Sequence, residues 1–121
     1  MAPTLTTEVV AGAAQVVRVA GELDLSTAAR LCRAIDAAAA ARWRPRVTID
    51  LTELTFCDST GLRALIGAVR EVEVRGGRAA LVLTSGGTLD RLLQLTGLDE
   101  FCVIHRVEPG RLRVDERSFV I

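Results

Sequence analysis

Helix-patterned and strand-patterned segments alternate along this 121-residue chain, and that alternation limits the possible folds more than any other feature. Each helical segment lies between two runs of apolar and β-branched residues, so crossovers rather than hairpins join most neighbouring strands. Crossovers of this kind build a mostly parallel sheet with helices packed against it. The sequence therefore predicts a single α/β domain in the order β-β-α-β-α-β-α-β, with about five strands, mostly parallel or mixed, and three or more helices.

The predicted strands are short runs rich in β-branched and apolar residues. The second ends at Gly21, and a short link over residues 52–55 follows the third. The fourth is apolar throughout, which is typical of a buried parallel strand. After a first strand ending at Val10, the predicted strands span residues 15–20, 47–51, 79–83 and 101–104.

The predicted helices carry apolar residues at helical spacing and residues suited to helix ends. Ser26 and Asp58 are placed as N-caps of the first two, because their side chains can accept from free backbone N–H groups. Gly76-Gly77 and Gly97 are placed at the ends of the last two. The three helices are predicted over residues 26–42, 58–75 and 88–96.

Composition excludes several classes of function. The fifteen basic residues, all Arg, balance fifteen acidic ones and are spread along the chain, which argues against a nucleic-acid surface. No stretch reaches about 18 apolar residues, so no membrane span is expected. The odd number of cysteines supports neither a disulfide framework nor a zinc site, and we expect a reduced, cytoplasmic protein without a cofactor. The cysteines are Cys32, Cys57 and Cys102, and the last two are expected to be buried.

The segment Asp58-Ser59-Thr60-Gly61-Leu62 is the candidate functional motif. It lies where a strand meets a helix, and the free N–H groups of a helix N-terminus favour an anion. A phosphate on Ser59 could therefore be accepted without unfolding the helix. Gly61 is expected to leave the first turn open around it.

The motif does not stand alone in the sequence. Gly21-Glu22-Leu23-Asp24, the strand at 47–51, the Asp58–Leu62 motif, Gly76-Gly77 and Leu95-Thr96-Gly97-Leu98 follow one another in order. This combination resembles the anti-sigma factor antagonists, a branch of the STAS domain family, over roughly residues 9–105. We expect a STAS domain over residues 5–107 and a loosely packed C-terminal tail over 108–121, although an edge strand or a partner-binding segment is also open for the tail.

The resemblance implies a switch. In such proteins the serine after the motif aspartate, here Ser59, is phosphorylated by the anti-sigma factor itself, an ATP-dependent serine kinase. The unphosphorylated antagonist binds that kinase and frees a sigma factor, and a serine phosphatase restores binding after phosphorylation. The family's binding surface corresponds by position to Glu22, Asp24, Ser26, Asp58, Ser59, Thr60 and Arg63.

The same residues leave four rival functions open. Ser59 could be a hydrolase nucleophile, but the motif is not Gly-x-Ser-x-Gly, and the one histidine, His105, is placed at the surface at the end of the last strand. Asp58 could be phosphorylated as in receiver domains, although no Lys is present to contact the phosphoryl group. The turn at 84–88 could bind a nucleotide or another anion but lacks the Gly-Lys-Ser/Thr of a P-loop. The fourth rival function is that of a STAS module with another partner, such as a subunit of a lipid-transport system.

Overall fold

A single five-stranded sheet with the strand order β1-β2-β3-β4-β5 organises the chain. The structure is a computed structural model, and it describes residues 4–12 and 14–109. β1 and β2 are antiparallel, and β2, β3, β4 and β5 run parallel to one another. The strands are β1 (Leu5–Val10), β2 (Gln15–Leu23), β3 (Arg46–Cys57), β4 (Arg78–Thr84) and β5 (Val103–Val107).

Three α-helices connect the parallel strands, which confirms the predicted order of elements. A short 3₁₀ helix follows the third and was not predicted from the sequence. The helices are α1 (Ala28–Ala40), α2 (Ser59–Val74) and α3 (Thr88–Thr96), and the 3₁₀ helix spans Leu98–Phe101. No helix in the described part of the chain is long and apolar enough to cross a membrane.

The apolar stripes of the helices pack on one face of the sheet and form the main core. Leu31 and Ile35 of α1 and Leu65 of α2 are fully buried in it. They meet every second residue of the central strands, because side chains alternate between the two faces of a strand. Ile49 and Leu81, which pair across β3 and β4, are such residues.

The second strand is longer than predicted, because Gly21 continues it instead of ending it. β2 reaches Leu23 through two register shifts against β3, one between Arg18 and Ala20 and one between Gly21 and Glu22. Gly21 has a φ of 110°, and a Cβ there would lie 2.3 Å from the backbone oxygen of Thr4. Only glycine fits this irregular strand, which brings residues 22 and 23 beside the end of β3.

Four further sequence predictions are corrected by the described residues. The predicted link 52–55 belongs to β3, because the register-shifted end of β2 pairs with it. Helix α1 begins at Ala28 and ends at Ala40, not at residues 26 and 42. Cys57 is buried as expected, but Cys102 is only half-buried at the edge of the core. His105 lies in the middle of β5, not at its end, and is half-buried.

The C-terminal tail is described only to Pro109, so the prediction for residues 110–121 lies outside the described residues.

Candidate functional site

The start of α2 is held open at the surface by an aspartate cap. Asp58 has extended backbone (φ −99°, ψ −179°), and its Oδ1 accepts a hydrogen bond of 2.7 Å from the N–H of Gly61. Its carbonyl accepts from Leu62 N–H at 2.9 Å. This confirms the predicted N-cap. Ser59 and Thr60, the first two residues of the helix, are both exposed, and their N–H groups have no hydrogen-bond partner among the described residues.

Gly61 is required for a different reason from the one that the sequence suggested. A Cβ at this position would lie 2.5 Å from the carbonyl oxygen of Leu23 and 2.8 Å from its Cγ. The same carbonyl accepts the N–H of Asp58 at 3.2 Å. Gly61 therefore lets the first turn of α2 pack directly on the end of β2, rather than leaving space for a phosphate.

A tight polar turn at residues 24–27 forms the other side of the site. Asp24 Oδ1 accepts from the Oγ of Ser26 at 2.7 Å, from its N–H at 2.9 Å and from Thr27 N–H at 3.2 Å. Thr27 Oγ1 donates to the Glu22 carbonyl at 2.7 Å. The prediction that Ser26 is the N-cap of α1 is therefore wrong, and Thr27 precedes the helix instead. The hydroxyl and the N–H of Ser26 both bind Asp24, which fixes the turn before the helix begins.

The sheet brings these two segments to one edge. Leu23 and Cys57 are paired at the carboxyl ends of adjacent parallel strands, so residues 24–26 and 58–60 leave the sheet side by side. Glu22 lies one residue earlier, opposite Phe56, and is half-buried. Arg63 is exposed one helical turn beyond Ser59, at the i+4 spacing that places two side chains on the same face. We call this group of seven predicted residues the α2 edge; it comprises Glu22, Asp24, Ser26, Asp58, Ser59, Thr60 and Arg63.

The electrostatics of the α2 edge are mixed. The Asp58 carboxylate caps a helix N-terminus whose partial charge is positive, and the carboxylates of Glu22 and Asp24 belong to the neighbouring strand end and turn. The hydrogen bond from the Ser26 hydroxyl is the largest cause that lowers the pKa of Asp24 below its ordinary value, and burial opposes it only in part. The Asp24 carboxylate is thus held in its charged form. Arg63 makes no hydrogen bond or ion pair within the described residues, so its charge is available near Ser59.

The structure adds apolar residues that sequence reasoning missed. Leu25 is 78% exposed in the middle of the polar turn, and Phe56 is 45% exposed at the end of β3. Beyond Cys57, the side of α3 forms a shallow groove with the half-buried Leu92 and with Leu95, which is 85% exposed. Two sequence signals could have indicated these residues, because Leu25 stands among polar residues and Leu95 falls outside the apolar stripe of its helix.

The turn before α3 is already occupied by a side chain of this chain. Asp90 is buried, and its Oδ2 accepts from Gly86 N–H at 2.9 Å. Its Oδ1 accepts from Arg106 Nε at 2.9 Å and from Gln94 Nε2 at 3.1 Å. The position that an anion would take at this helix start is therefore filled by a carboxylate, which argues against nucleotide binding at this turn.

The surroundings of Ser59 lack the groups that a hydrolase or a receiver-type aspartate needs. His105 is on β5, with β4 between it and β3, so it is not the adjacent base that a serine nucleophile needs. Asp58 is engaged as a helix cap. No cluster of three His, Cys, Asp or Glu residues that could hold a metal ion occurs within residues 4–12 and 14–109.

Several known proteins with similar sequences and structures are anti-sigma factor antagonists. The family model described as "Mlab, STAS domain" matches residues 7–108. The anti-sigma-B factor antagonist of Listeria monocytogenes is 36% identical over 90 residues, which are 74% of this chain and 77% of that protein. The crystal structure of an anti-sigma factor antagonist from Mycobacterium paratuberculosis has a TM-score of 0.73 at 32% identity, covering 86% of this chain and 87% of that one.

The anti-sigma factor antagonist SpoIIAA, a Bacillus cell fate determinant, is also similar and has been solved in two forms. The unphosphorylated form gives a TM-score of 0.64 at 26% identity, covering 84% of this chain and 88% of that one. The phosphorylated form gives 0.60 at 26% identity, covering 84% and 91%. The fold, the family model over most of the chain and these relatives agree, and the chain belongs to the STAS domain family, in its group of anti-sigma factor antagonists.

Proposed function

We propose that this protein is a binding switch rather than an enzyme, and that phosphorylation of Ser59 controls it. In the unphosphorylated state it binds an anti-sigma factor that is also a serine kinase, and thereby frees a sigma factor in the cytoplasm. The kinase then phosphorylates Ser59, the complex separates, and a serine phosphatase returns the protein to its binding state. The α2 edge is the surface that docks the kinase.

The observation that carries this proposal is the exposed hydroxyl of Ser59 at the first position of α2. A kinase needs a hydroxyl that it can reach, and Ser59 stands at the surface beside the Asp24 turn. The similarity to SpoIIAA, which has been solved in phosphorylated and unphosphorylated forms, supports phosphorylation within this family. The exposed Leu25 and Phe56 offer apolar contact area beside the hydroxyl.

Phosphorylation would affect the fold and the complex very differently. A phosphoserine brings about −1.5 to −2 charges at pH 7. At an exposed helix N-terminus an anion is stabilised by about 0.3–1 kcal/mol, so the domain tolerates it. In a closed interface beside Asp58 and Asp24, an uncompensated charge costs several kcal/mol. Each 1.4 kcal/mol is about tenfold in affinity, so binding falls roughly a hundredfold or more without a large change of conformation.

The test uses a candidate anti-sigma factor serine kinase. The purified protein is incubated with that kinase and ATP, and the modified residue is mapped by mass spectrometry. We expect a single phosphate on Ser59 in the wild-type chain and none in Ser59→Ala. Ser59→Asp is expected to bind the kinase at least about a hundredfold more weakly than Ser59→Ala, as measured by titration calorimetry.

Thr60 shows which hydroxyl is modified, because it is the next residue of α2 and is also exposed. In Thr60→Ala we expect the single phosphate to remain on Ser59, even if the loss of one docking contact slows the reaction. Ser59→Asp is expected to melt within a few degrees of the wild type, since an acidic residue suits the first turn of a helix. Equal kinase binding by Ser59→Ala and Ser59→Asp would contradict the switch, and no binding by any variant would favour a STAS module with another partner.

A further inference from the structure

A glycine stands in the middle of α2 where the described structure does not require one. Gly67 is exposed, and its φ lies outside the left-handed region. A Cβ at this position would have no atom within 4 Å beyond its own stretch of helix. Alanine would therefore fit here, and it stabilises a helix interior more than any other residue, whereas glycine weakens it. Gly67 thus lowers the stability of α2 without serving a turn or a close contact among residues 4–12 and 14–109.

The other glycine of this helix shows what a required glycine looks like. At Gly61 the carbonyl oxygen of Leu23 comes so near that a Cβ would lie 2.5 Å from it. Glycine is the residue that lets another backbone approach a helix this closely. The space above Gly67 is open instead, so a group that approached it in the same way would come from another molecule.

Gly67 lies on the outward stripe of α2 that begins at Ser59. At about 100° per residue, five exposed residues of the helix fall within about 80° of one another around its axis. The buried residues of α2 lie on the opposite side. We call this stripe the α2 outer face; it comprises Ser59, Arg63, Gly67, Arg70 and Val74. It is about 22 Å long and continues the α2 edge, because Ser59 and Arg63 belong to both.

The charge next to Gly67 is positive. Arg63 precedes it by four residues and Arg70 follows it by three, so the two side chains lie one turn away on either side. Neither guanidinium forms an ion pair with a carboxylate of the described residues. Glu71 and Glu73 are each turned about 80° from the middle of the α2 outer face. A carboxylate of another molecule could therefore bind between the two arginines.

The far end of the α2 outer face is apolar. Val74 is 80% exposed, and Phe101 of the 3₁₀ helix is 60% exposed beside it. Together with Arg70 and Glu73 they line a shallow groove of about 440 Å³. The Arg70 guanidinium carbon lies 5.8 Å from the centroid of the Phe101 ring, which holds the arginine at the border of the groove. This groove can take an apolar side chain.

We propose that the anti-sigma factor kinase lies along the whole α2 outer face and not only at the α2 edge. A backbone segment of the kinase packs against Gly67, a carboxylate binds between Arg63 and Arg70, and an apolar side chain enters the groove at Val74. This inference rests on the proposed function, because its occupant is the kinase that reaches Ser59. A second copy of this chain fits less well, since two such faces would bring arginines against arginines.

Adding a side chain at position 67 tests the proposal. Gly67→Gln and the control Ala37→Gln place the same side chain at exposed positions of two helices. Ala37 follows Cys32 of α1 by five residues, and the Cys32 thiol contacts the Ala64 carbonyl of α2 at 3.7 Å, so position 37 points away from α2. We expect Gly67→Gln to bind the kinase at least about tenfold more weakly than the wild type in titration calorimetry, and Ala37→Gln to bind as the wild type does.

Thermal unfolding separates this loss of binding from misfolding. Gly67→Ala and Gly67→Gln both remove a glycine from a helix interior, so both are expected to melt a few degrees above the wild type. A variant that is more stable and binds less tightly has lost a contact with its partner. Arg70→Gln is expected to weaken kinase binding severalfold at low salt and by less at high salt, because salt screens the arginine charge.

The outcomes separate this inference from the proposed function. If Gly67→Gln bound the kinase as tightly as the wild type and were still phosphorylated on Ser59, the inference would be wrong and the proposed function would stand. Equal weakening by Ala37→Gln, or melting of Gly67→Ala below the wild type, would also overturn the inference. Self-association of the wild type that Gly67→Gln abolishes would make a second copy the occupant instead. If the wild-type chain bound no kinase, the proposed function would fail and this inference with it.

Discussion

Two helix starts in this molecule use an aspartate in opposite ways. At α2, Asp58 caps the helix from outside and binds one backbone N–H, and Ser59 and Thr60 remain exposed. At α3, Asp90 lies inside the first turn, is buried, and binds a backbone N–H and the guanidinium of Arg106. Both ends carry the same partial positive charge. The difference teaches that a helix start becomes a candidate site only where the chain itself has not already filled it.

The largest difference between the two helix starts is expected when the carboxylate of Asp90 or of Asp58 is removed. Asp90→Ala leaves the Arg106 guanidinium and the Gly86 N–H without their partner, and we expect a loss of about 3 kcal/mol in the free energy of unfolding. Asp58→Ala removes a half-buried cap and is expected to cost about 1 kcal/mol. Urea unfolding followed by circular dichroism measures both. Equal losses would show that the two ends are built alike.

A second test compares the two glycines at these helix starts. Gly61→Ala places a Cβ 2.5 Å from the Leu23 carbonyl oxygen, so the helix start has to move away from β2, and we expect a loss of about 2 kcal/mol. Gly87→Ala meets its nearest atom, Thr84 O, at 3.2 Å with an ordinary φ of −74°, so a loss below about 1 kcal/mol is expected. Thermal unfolding compares the two variants. If Gly61→Ala unfolded at the same temperature as the wild type, the close approach of α2 to β2 would be contradicted.

The smallest expected effect is the acid dependence of the α3 start. Burial raises the pKa of Asp90, but the hydrogen bonds from Gly86 and Arg106 outweigh it, and the pKa lies below its ordinary value of 3.8. A lowered pKa in the folded state stabilises the fold fully above the unfolded value, and this contribution is lost as the pH falls through the folded value. The unfolding free energy of the wild type should therefore fall more steeply below about pH 3.8 than that of Asp90→Asn. If the unfolding free energies of the wild type and Asp90→Asn fell in parallel with pH, the Asp90 carboxylate would not stabilise the fold in this way.

Much of the scaffold could be predicted from local sequence. The alternation of elements, the extent of α3 and the cap at Asp58 follow from periodicity, helix propensity and end residues, all of which act over a few positions. The placement of Ser59 at an exposed helix start follows from the same signals. The assignment of partner contacts to Glu22, Asp24, Ser26 and Arg63 came only from the resemblance and stays a prediction.

Other features depend on contacts that the local patterns did not indicate, some of them between residues far apart in the sequence. Residues 52–55 looked like a link because their apolar pattern is weak, yet they pair with the shifted end of β2. Ser26 looked like a helix cap, but Asp24 takes both its hydroxyl and its N–H. In each case a contact formed in the folded chain outweighed a local preference of comparable size.

The sequence by itself therefore determined the α/β order, the capped start of α2 and the exposed serine that follows the cap. Only the tertiary structure decided that Gly61 packs on Leu23 and that Arg106 holds Asp90 inside the start of α3. The physical reason is the sequence separation over which each kind of interaction acts. Propensity, capping and periodicity act between residues within a turn or two, whereas close packing and buried ion pairs join residues that meet only when the sheet assembles.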